Sequence, residues 1–154
     1  MKIKHVNSES IRRLRHLVLR TGQPFSTTSY DKDNDKDTFH LGYIKNNKIV
    51  VCTTFYPEST QKIKSSNSFR LRGMATHPDE RRKGLGRDVM QKAFQELYKK
   101  GCDILWCNAR LIAVDFYKSI GFKTKGELFD ITDIGPHYFM YKKVSKFDTY
   151  GFKK

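Results

Sequence analysis

The segment Arg81-Arg-Lys-Gly-Leu-Gly86 lies between a predicted strand over residues 69–76 and a predicted helix over residues 85–99. The strand alternates apolar with polar residues, and the helix repeats apolar residues every three or four positions. The first N–H groups of a helix have no internal partner and lie at the positive end of its dipole. Glycine at positions 84 and 86 would let a ligand approach the backbone closely. The segment therefore predicts a binding site for a pyrophosphate.

A second interpretation of this segment stays open on the sequence alone. Val89 stands where a dinucleotide-binding motif has its third glycine, and the Gly-Lys-Ser/Thr ending of a nucleotide-hydrolase phosphate loop is absent. The alternative to a pyrophosphate site is a tight strand–helix turn that carries a solvated cluster of cations. Those cations are Arg81, Arg82, Lys83 and Arg87.

Composition limits the class of protein and of partner. The chain has 154 residues, which suits one domain over 1–154, with a core over 1–144 and a polar tail over 145–154. The 30 Lys and Arg residues outnumber the 16 Asp and Glu residues, giving a formal net charge of +14. This charge favours anionic partners without choosing between nucleic acid, a phosphorylated cofactor and an acidic substrate. No signal peptide or apolar span is present, so we expect a cytoplasmic protein with no membrane partner.

The three cysteines are Cys52, Cys102 and Cys107, an odd number that favours reduced thiols. An extended chain would separate the α-carbons of Cys102 and Cys107 by roughly 16 Å, whereas a disulfide tolerates less than about 7 Å. We therefore expect small buried side chains. The alternating aspartates of 31–37 lack the glycine and the closing glutamate of a calcium loop, so no metal site is predicted.

Periodicity and turn residues predict one domain of mixed α/β class, with elements in the order α, β, β, β, α, β, α, β, β. The predicted helices span 8–20, 85–99 and 111–120, and the predicted strands span 39–44, 49–56, 69–76, 103–108, 125–131 and 137–144. Most arginines of the first helix are interpreted as surface charge. The polar stretch over 26–38 is interpreted as a mobile or solvent-exposed loop.

Two motifs resemble those of the GNAT acetyltransferase superfamily. The run Met74-Ala-Thr-His-Pro-Asp-Glu-Arg-Arg-Lys-Gly-Leu-Gly86 matches its acetyl-CoA-binding signature, Arg/Gln-x-x-Gly-x-Gly/Ala after a strand. The run Asn108-Ala-Arg-Leu-Ile-Ala-Val-Asp-Phe-Tyr-Lys-Ser-Ile-Gly-Phe122 matches its second signature, Asn followed by Ala-x-x-Phe-Tyr-x-x-x-Gly-Phe. The resemblance implies a GNAT-like fold, in which helices flank a central, mostly antiparallel β-sheet that splays between the strands at 69–76 and 103–108.

The resemblance also implies acetyl-CoA as co-substrate, with no metal. Backbone groups at Met74 and Thr76 would bind the pantetheine arm, N–H groups around 82–87 would hold the pyrophosphate, and Asn108 would reach the pantetheine as well. The implied cofactor-binding residues are Met74, Thr76, Arg81, Arg82, Lys83, Gly84, Leu85, Gly86, Arg87, Asn108, Ala113, Tyr117 and Lys118.

Catalytic roles are implied for fewer residues. Tyr117 aligns with the family tyrosine that commonly protonates the departing thiolate, which implies a general acid, and a packed aromatic side chain is the alternative. His137, which follows Gly-Pro in a predicted loop, is a candidate general base because histidine titrates near neutral pH. Glu58 and Asp130 are comparable candidates, and a chain of waters would replace all three. A covalent relay through Cys107 is disfavoured, since no neighbouring group would lower the pKa of its thiol.

The sequence thus predicts an N-acetyltransferase that transfers an acetyl group from acetyl-CoA to a primary amine by direct attack in a ternary complex. The acceptor, a small-molecule or peptide amine, is unidentified, and a homodimer is a further expectation. Two alternatives remain. One is a coenzyme A sensor without catalysis. The other is a basic nucleic-acid-binding protein, against which the positive residues are spread along the chain without a recognised nucleic-acid motif.

Overall fold

A computed structural model describes residues 2–150, which form three α-helices and eight β-strands. The helices are α1 (Ser8–Leu19), α2 (Leu85–Lys99) and α3 (Val114–Ser119). The strands are β1 (Ile3–His5), β2 (Phe39–Lys45), β3 (Lys48–Pro57), β4 (Ser68–Thr76), β5 (Ile104–Arg110), β6 (Lys123–Thr124), β7 (Phe129–Ile131) and β8 (Gly135–Lys143). None of the helices within these residues combines the length and the apolar character needed to cross a bilayer.

The strands form one open sheet in the order β1-β2-β3-β4-β5-β8-β6, and β7 pairs with β8 beside this path. The pairings β1–β2, β2–β3, β5–β8, β6–β8 and β7–β8 are antiparallel. Strands β4 and β5 are parallel, and they pair through three residues each, Ser68–Arg70 with Ile104–Trp106. The predicted mixed α/β class with a mostly antiparallel sheet is confirmed.

Most predicted elements occur within two residues of their predicted bounds, with three differences. Strand β1 was not predicted, because three residues are too few to show an alternating pattern. Of the strand predicted over 125–131, only Phe129–Ile131 (β7) is a strand; Gly126, whose φ is +85°, lies before it, and the short strand β6 at Lys123–Thr124 was not predicted. The predicted third helix begins with a 3₁₀ turn at Leu111–Ala113 before α3.

The polar tail predicted over 145–154 forms a 3₁₀ helix at Lys146–Tyr150, and its last four residues lie outside the described part of the chain. The described residues group into two compact units. The first runs to Tyr56 and includes Leu71–Ala93, and the second comprises Pro57–Arg70 and the chain from Phe94 onward. The single domain over 1–154 stays a prediction, and each unit is described by itself below.

In the first unit, α1 packs on strands β3 and β4 through its apolar stripe. The helix begins at Asn7, whose side-chain oxygen accepts a hydrogen bond of 2.9 Å from the Ser10 backbone N–H. Ile11 and Leu14 form one buried cluster with Cys52 of β3 and Ala75 of β4. Burying an Ile or Leu side chain contributes about 1.5–3 kcal/mol, so this cluster holds the helix to the strand that precedes the Arg81–Gly86 segment.

In the second unit, β5 and β8 pair through seven residues, Ile104–Arg110 with His137–Lys143. Trp106 stacks on Phe139 with ring centroids 5.6 Å apart, and its indole N–H donates a 2.9 Å hydrogen bond to the backbone carbonyl of Glu58. Tyr117 of α3 packs edge-on against Phe122 with centroids 5.2 Å apart. The Trp106 contacts fix the segment around Glu58 on the β5–β8 pair, and the Tyr117 contact holds α3 to the residue that precedes β6.

Candidate active site

The turn before α2 changes the sign of its backbone φ angle from one residue to the next. The φ angle is −70° at Arg81 and +63° at Arg82, and it is +79° at Gly84. A positive φ costs a residue other than glycine about 1–2 kcal/mol, so Arg82 is held in a strained conformation. Arg81 is extended, with a ψ of 155°, and the two positive φ angles after it bend the backbone sharply. Turns of this kind can present backbone N–H groups to an anion.

Gly84 leaves open space beside this turn. Its carbonyl accepts a 3.1 Å hydrogen bond from the Asp88 N–H, so the first helical bond of α2 begins at this residue. A β-carbon added at Gly84 would meet no heavy atom within 4 Å. The space is therefore available to a ligand that approaches the backbone at the positive end of a 15-residue helix.

Exposed cations surround the same turn. Lys83 Nζ lies 3.1 Å from Glu80 Oε2, and Lys45 Nζ lies 2.9 Å from the same oxygen. The hydrogen bonds from Lys45 and then Lys83 lower the pKa of Glu80, which keeps this carboxylate ionised. Arg81 and Arg82 are exposed and form no ion pair within residues 2–150. The turn therefore retains positive charge that its own carboxylate does not neutralise.

Strand β4 leads into the turn and contains an irregularity at Gly73, whose φ is +64°. A β-carbon at this position would lie 3.0 Å from Tyr30 Cε2 and 3.1 Å from Arg15 Nε, so a larger residue would be crowded as well as strained. Glycine inside a strand often marks a bend or bulge where another group approaches closely. Met74 and Thr76, both half-buried, follow this irregularity and lie on the strand that leads to the Arg81–Gly86 segment.

Arg15 is fully buried, so it is an exception to the surface charge predicted for most arginines of the first helix. Its guanidinium donates to both carboxylate oxygens of Asp33 at 2.7 and 3.0 Å, to the Thr28 carbonyl at 2.8 Å and to Thr54 Oγ1 at 2.7 Å. The sequence carried a signal for this, because Arg15 lies four residues after the buried Ile11. The stretch over 26–38 is correspondingly anchored at Thr28 and Asp33 rather than exposed throughout.

Burial alone would raise the pKa of Asp33, but the hydrogen bonds from Arg15 and from the Tyr30 N–H outweigh burial and lower it. His40 also belongs to this hydrogen-bond network around Asp33 and Thr54. Its Nε2 donates to the Asp33 carbonyl at 2.9 Å, which leaves Nδ1 to accept from the Thr54 hydroxyl at 2.7 Å. Burial lowers the pKa of His40, so the ring is neutral at pH 7.

In the second unit, Tyr117 is buried in an aromatic cluster on α3. Its ring packs edge-on against Phe116 at 5.3 Å and against Phe122 at 5.2 Å. Burial raises the pKa of its hydroxyl well above the usual value, with a smaller contribution from Cys107. The hydroxyl therefore stays protonated and can donate a hydrogen bond across the ordinary pH range. The two interpretations of Tyr117, packed aromatic and proton donor, are compatible in this geometry.

The other second-unit residues implied by the motifs lie on or next to β5 and α3. Asn108 is half-buried and lies opposite Phe139 in the β5–β8 pair. Ala113 is half-buried at the end of the 3₁₀ turn, and Lys118 is exposed on α3. These residues thus lie on the stretch of chain that runs from β5 into α3, the helix that contains Tyr117.

The three candidate bases differ in their surroundings. His137 lies inside β8, as in the predicted strand over 137–144, but β8 begins two residues earlier, so Gly135 and Pro136 belong to the strand rather than to the predicted loop. It is buried against Phe129, and its Nδ1 donates to the Gly135 carbonyl at 2.7 Å, so that Nε2 is the basic nitrogen of the neutral ring. Glu58 accepts a 3.1 Å ion-pair hydrogen bond from Arg70. Asp130 is exposed on β7.

All three cysteines are buried free thiols. Burial raises the pKa of Cys52 to about 12 and that of Cys102 to about 12. Burial likewise raises the pKa of Cys107, which makes this thiol a poor nucleophile. Within residues 2–150, no group of three or more His, Cys, Asp or Glu side chains is placed to hold a metal ion.

Comparison with known proteins identifies the family of this chain. A model of the Acetyltransferase (GNAT) family matches residues 9–122. The chain belongs to the GNAT acetyltransferase family. It is 33% identical over 144 residues to the uncharacterized N-acetyltransferase YitI of Bacillus subtilis (strain 168), and this match covers 94% of the chain and 97% of YitI. This GNAT chain is therefore an acyltransferase, and the resemblance carried by the two motifs is confirmed.

Solved structures show the GNAT fold at low sequence identity. An aminoglycoside 6′-N-acetyltransferase complexed with coenzyme A superposes with a TM-score of 0.74 at 11% identity, covering 94% of this chain and 98% of that one. The ribosomal-protein-S18-alanine N-acetyltransferase from Escherichia coli superposes with a TM-score of 0.69 at 19% identity, covering 93% of each chain. The names give different acceptors, so the shared fold leaves the acceptor of this GNAT protein open.

The residues implied by the two GNAT motifs divide between the units. The first unit brings together Met74, Thr76 and residues 81–87 along one strand, turn and helix. The second unit contains Asn108, Ala113, Tyr117, Lys118 and His137. The sequence analysis did not single out Gly73 or the buried Arg15–Asp33 pair, which lie beside one another in the first unit.

Proposed function

We propose that this GNAT protein transfers an acetyl group from acetyl-CoA to a primary amine of a small molecule or peptide, by direct attack in a ternary complex. The observation that carries the proposal is the turn at Arg81–Gly84. It combines two positive φ angles, open space at Gly84 and two arginines without ion pairs. The pyrophosphate of acetyl-CoA has the charge and the narrow shape that such a turn accepts.

The proposed contacts to acetyl-CoA follow the family motifs. The pyrophosphate would be held by backbone N–H groups and cations of the turn and of the first residues of α2. Backbone groups at Met74 and Thr76, together with Asn108, would bind the pantetheine arm, and Ala113, Tyr117 and Lys118 are proposed as further contacts. The proposed pyrophosphate contacts are Arg81, Arg82, Lys83, Gly84, Leu85, Gly86 and Arg87.

Bound acetyl-CoA supplies an acetyl thioester, and transfer forms the N–C bond of an amide while the C–S bond breaks and coenzyme A leaves as a thiol. Backbone N–H groups around Met74 to Thr76 would stabilise the negative charge on the carbonyl oxygen. Tyr117 would donate a proton to the sulfur, which fits a buried hydroxyl whose raised pKa keeps it protonated.

The acceptor must lose a proton, since a free alkyl amine has a pKa near ~10 and only its neutral form attacks. His137 is the proposed base, and its Nε2 would accept the proton because Nδ1 donates to Gly135. The burial of Cys107 supports direct attack rather than a covalent relay, since a thiol with a raised pKa is a weak nucleophile.

The experiment that tests the function has two measurements. Calorimetric titration with acetyl-CoA is expected to give saturable binding, and a thiol-release assay over a panel of amines is expected to show turnover that depends on one amine class. Binding without turnover on any amine would favour the sensor instead. No binding of acetyl-CoA, together with salt-sensitive binding of non-specific DNA, would favour the nucleic-acid alternative. A cytoplasmic location and a homodimer stay predictions.

A further inference from the structure

The guanidinium groups of three arginines lie around the ring of Tyr30 in the first unit. The Cζ atoms of Arg15 and Arg72 each lie 4.0 Å from its ring centroid, and Arg20 Cζ lies 5.9 Å from it. Such contacts between a guanidinium and an aromatic face are attractive. Three cations around one ring also repel one another, so an anion placed beside them would be stabilised.

The protein supplies one carboxylate here, and that carboxylate is already engaged. Both oxygens of Asp33 accept hydrogen bonds from Arg15, and one also accepts from the Tyr30 N–H at 3.0 Å. Arg20 and Arg72 form no ion pair in the part of the chain that the structure describes. Two half-buried guanidinium groups therefore remain uncompensated beside one ring.

The ring beneath these arginines is rigidly placed. Tyr30 is 7% exposed, and the backbone of Gly73 lies so close that an added β-carbon would be 3.0 Å from Tyr30 Cε2. Arg15 fixes the chain on either side of it, by donating to the Thr28 carbonyl before it and to both carboxylate oxygens of Asp33 after it. A guanidinium stacked on a fixed ring has lost part of its freedom already, so it loses less on binding an anion.

We propose that Arg72 and Arg20 bind an anionic group, a carboxylate or a phosphate, on the amine acceptor. This inference rests on the proposed function, because Arg72 lies two residues before Met74, whose backbone is proposed to contact the acetyl-CoA arm. Two residues span at most roughly 7 Å. The acceptor is therefore an amine that also carries an anionic group, as in an amino acid or a phosphorylated amine.

Pairs of acceptors with and without an anionic group test the proposed acceptor class. An amino acid is compared with its amide, and phosphoethanolamine with ethanolamine, so that each pair differs in the anionic group. The anionic member of at least one pair is expected to have a KM at least tenfold lower, and which pair responds distinguishes carboxylate from phosphate. Arg72→Gln is expected to remove that difference by raising the KM of the anionic member. Arg13→Gln, an exposed arginine of α1, is the matched control and should retain the difference.

A binding measurement separates this inference from the proposed function. Enzyme saturated with coenzyme A, so that the pyrophosphate site is filled, is titrated with inorganic phosphate and with acetate by NMR. Shifts localised to Tyr30 and Arg72 that disappear in Arg72→Gln would support the anion site even if no amine were acetylated. Turnover that favours neutral or polycationic amines, or anion binding that Arg72→Gln leaves unchanged, would overturn the inference while leaving the acetyltransferase function intact.

Discussion

Replacing Gly84 with alanine is expected to weaken acetyl-CoA binding more than it weakens the fold. Gly84 has a φ of +79°, and an added β-carbon meets no protein atom within 4 Å, so alanine introduces conformational strain without a clash. That strain is about 1–2 kcal/mol. For a chain of this size it lowers Tm by roughly 2–8 °C. The folded state should survive the change.

The effect on binding follows from where the new methyl group lies. It occupies the open space in which the pyrophosphate is proposed to approach the backbone. Losing one hydrogen bond to a charged oxygen costs about 1.5–3 kcal/mol, which is roughly a tenfold or larger rise in Kd. At a concentration 100 times its Kd, acetyl-CoA stabilises the wild type by about 2.7 kcal/mol. A tenfold weaker Kd leaves about 1.4 kcal/mol, so the ligand-induced shift in Tm should halve.

Gly22→Ala is the matched control, since Gly22 has a φ of +80° and open space around its α-carbon but lies just after α1. Both variants should lose similar stability in the absence of ligand. Calorimetric titration gives the two Kd values directly, and thermal unfolding with and without acetyl-CoA gives the shift. Equal acetyl-CoA affinity in the two variants would refute the placement of the pyrophosphate at Gly84.

Three further outcomes are expected. Tyr117→Phe should lower kcat at least tenfold with acetyl-CoA affinity within twofold, and unchanged turnover would remove Tyr117 from the mechanism. Asp33→Asn leaves the Arg15 charge buried without its partner and should lower the free energy of unfolding in urea by about 3–5 kcal/mol, and a loss under 1 kcal/mol would contradict this. His40 has a lowered pKa, so the unfolded state takes up its proton first, and stability should fall as pH drops through about 6.5. His40→Gln should flatten that fall, and an identical pH profile would exclude His40 as its cause.

The sequence predicted the strand, turn and helix that contain the proposed acetyl-CoA contacts, because residues close together in the sequence determine these elements. The apolar repeat that begins at Leu85 sets the start of α2, and glycine at positions 84 and 86 marks the turn before it. The two motifs of the sequence each lie on one continuous strand-to-helix segment. The order of the residues alone therefore indicates which residues of a motif are near one another. The positive φ of Arg82, a residue that does not favour that conformation, could not be foreseen from propensity.

The Arg15–Asp33 pair was missed for a different physical reason. An arginine among apolar helix positions resembles a surface residue until its partner is known, and Asp33 lies 18 residues further along the chain. Alternating Asp, Lys and Asn in 31–37 is typical of exposed chain, and no local rule selects the one aspartate that is buried. Burial of a charge is decided by a pairing distant in sequence, which single-residue preferences do not contain.

The two motifs and the Arg15–Asp33 pair lie in different parts of the chain, and this separation bears on where selectivity for the acceptor would reside. The two motifs lie in residues 74–122, within the stretch over 9–122 that matches the family. Tyr30 and Arg20 lie before the two motifs, on α1 and the segment after it, held in place by the buried pair. A segment fixed by one ion pair can change its exposed residues without disturbing the turn at Gly84. The proposed anion site would therefore allow selectivity for the acceptor to vary independently of the proposed acetyl-CoA contacts.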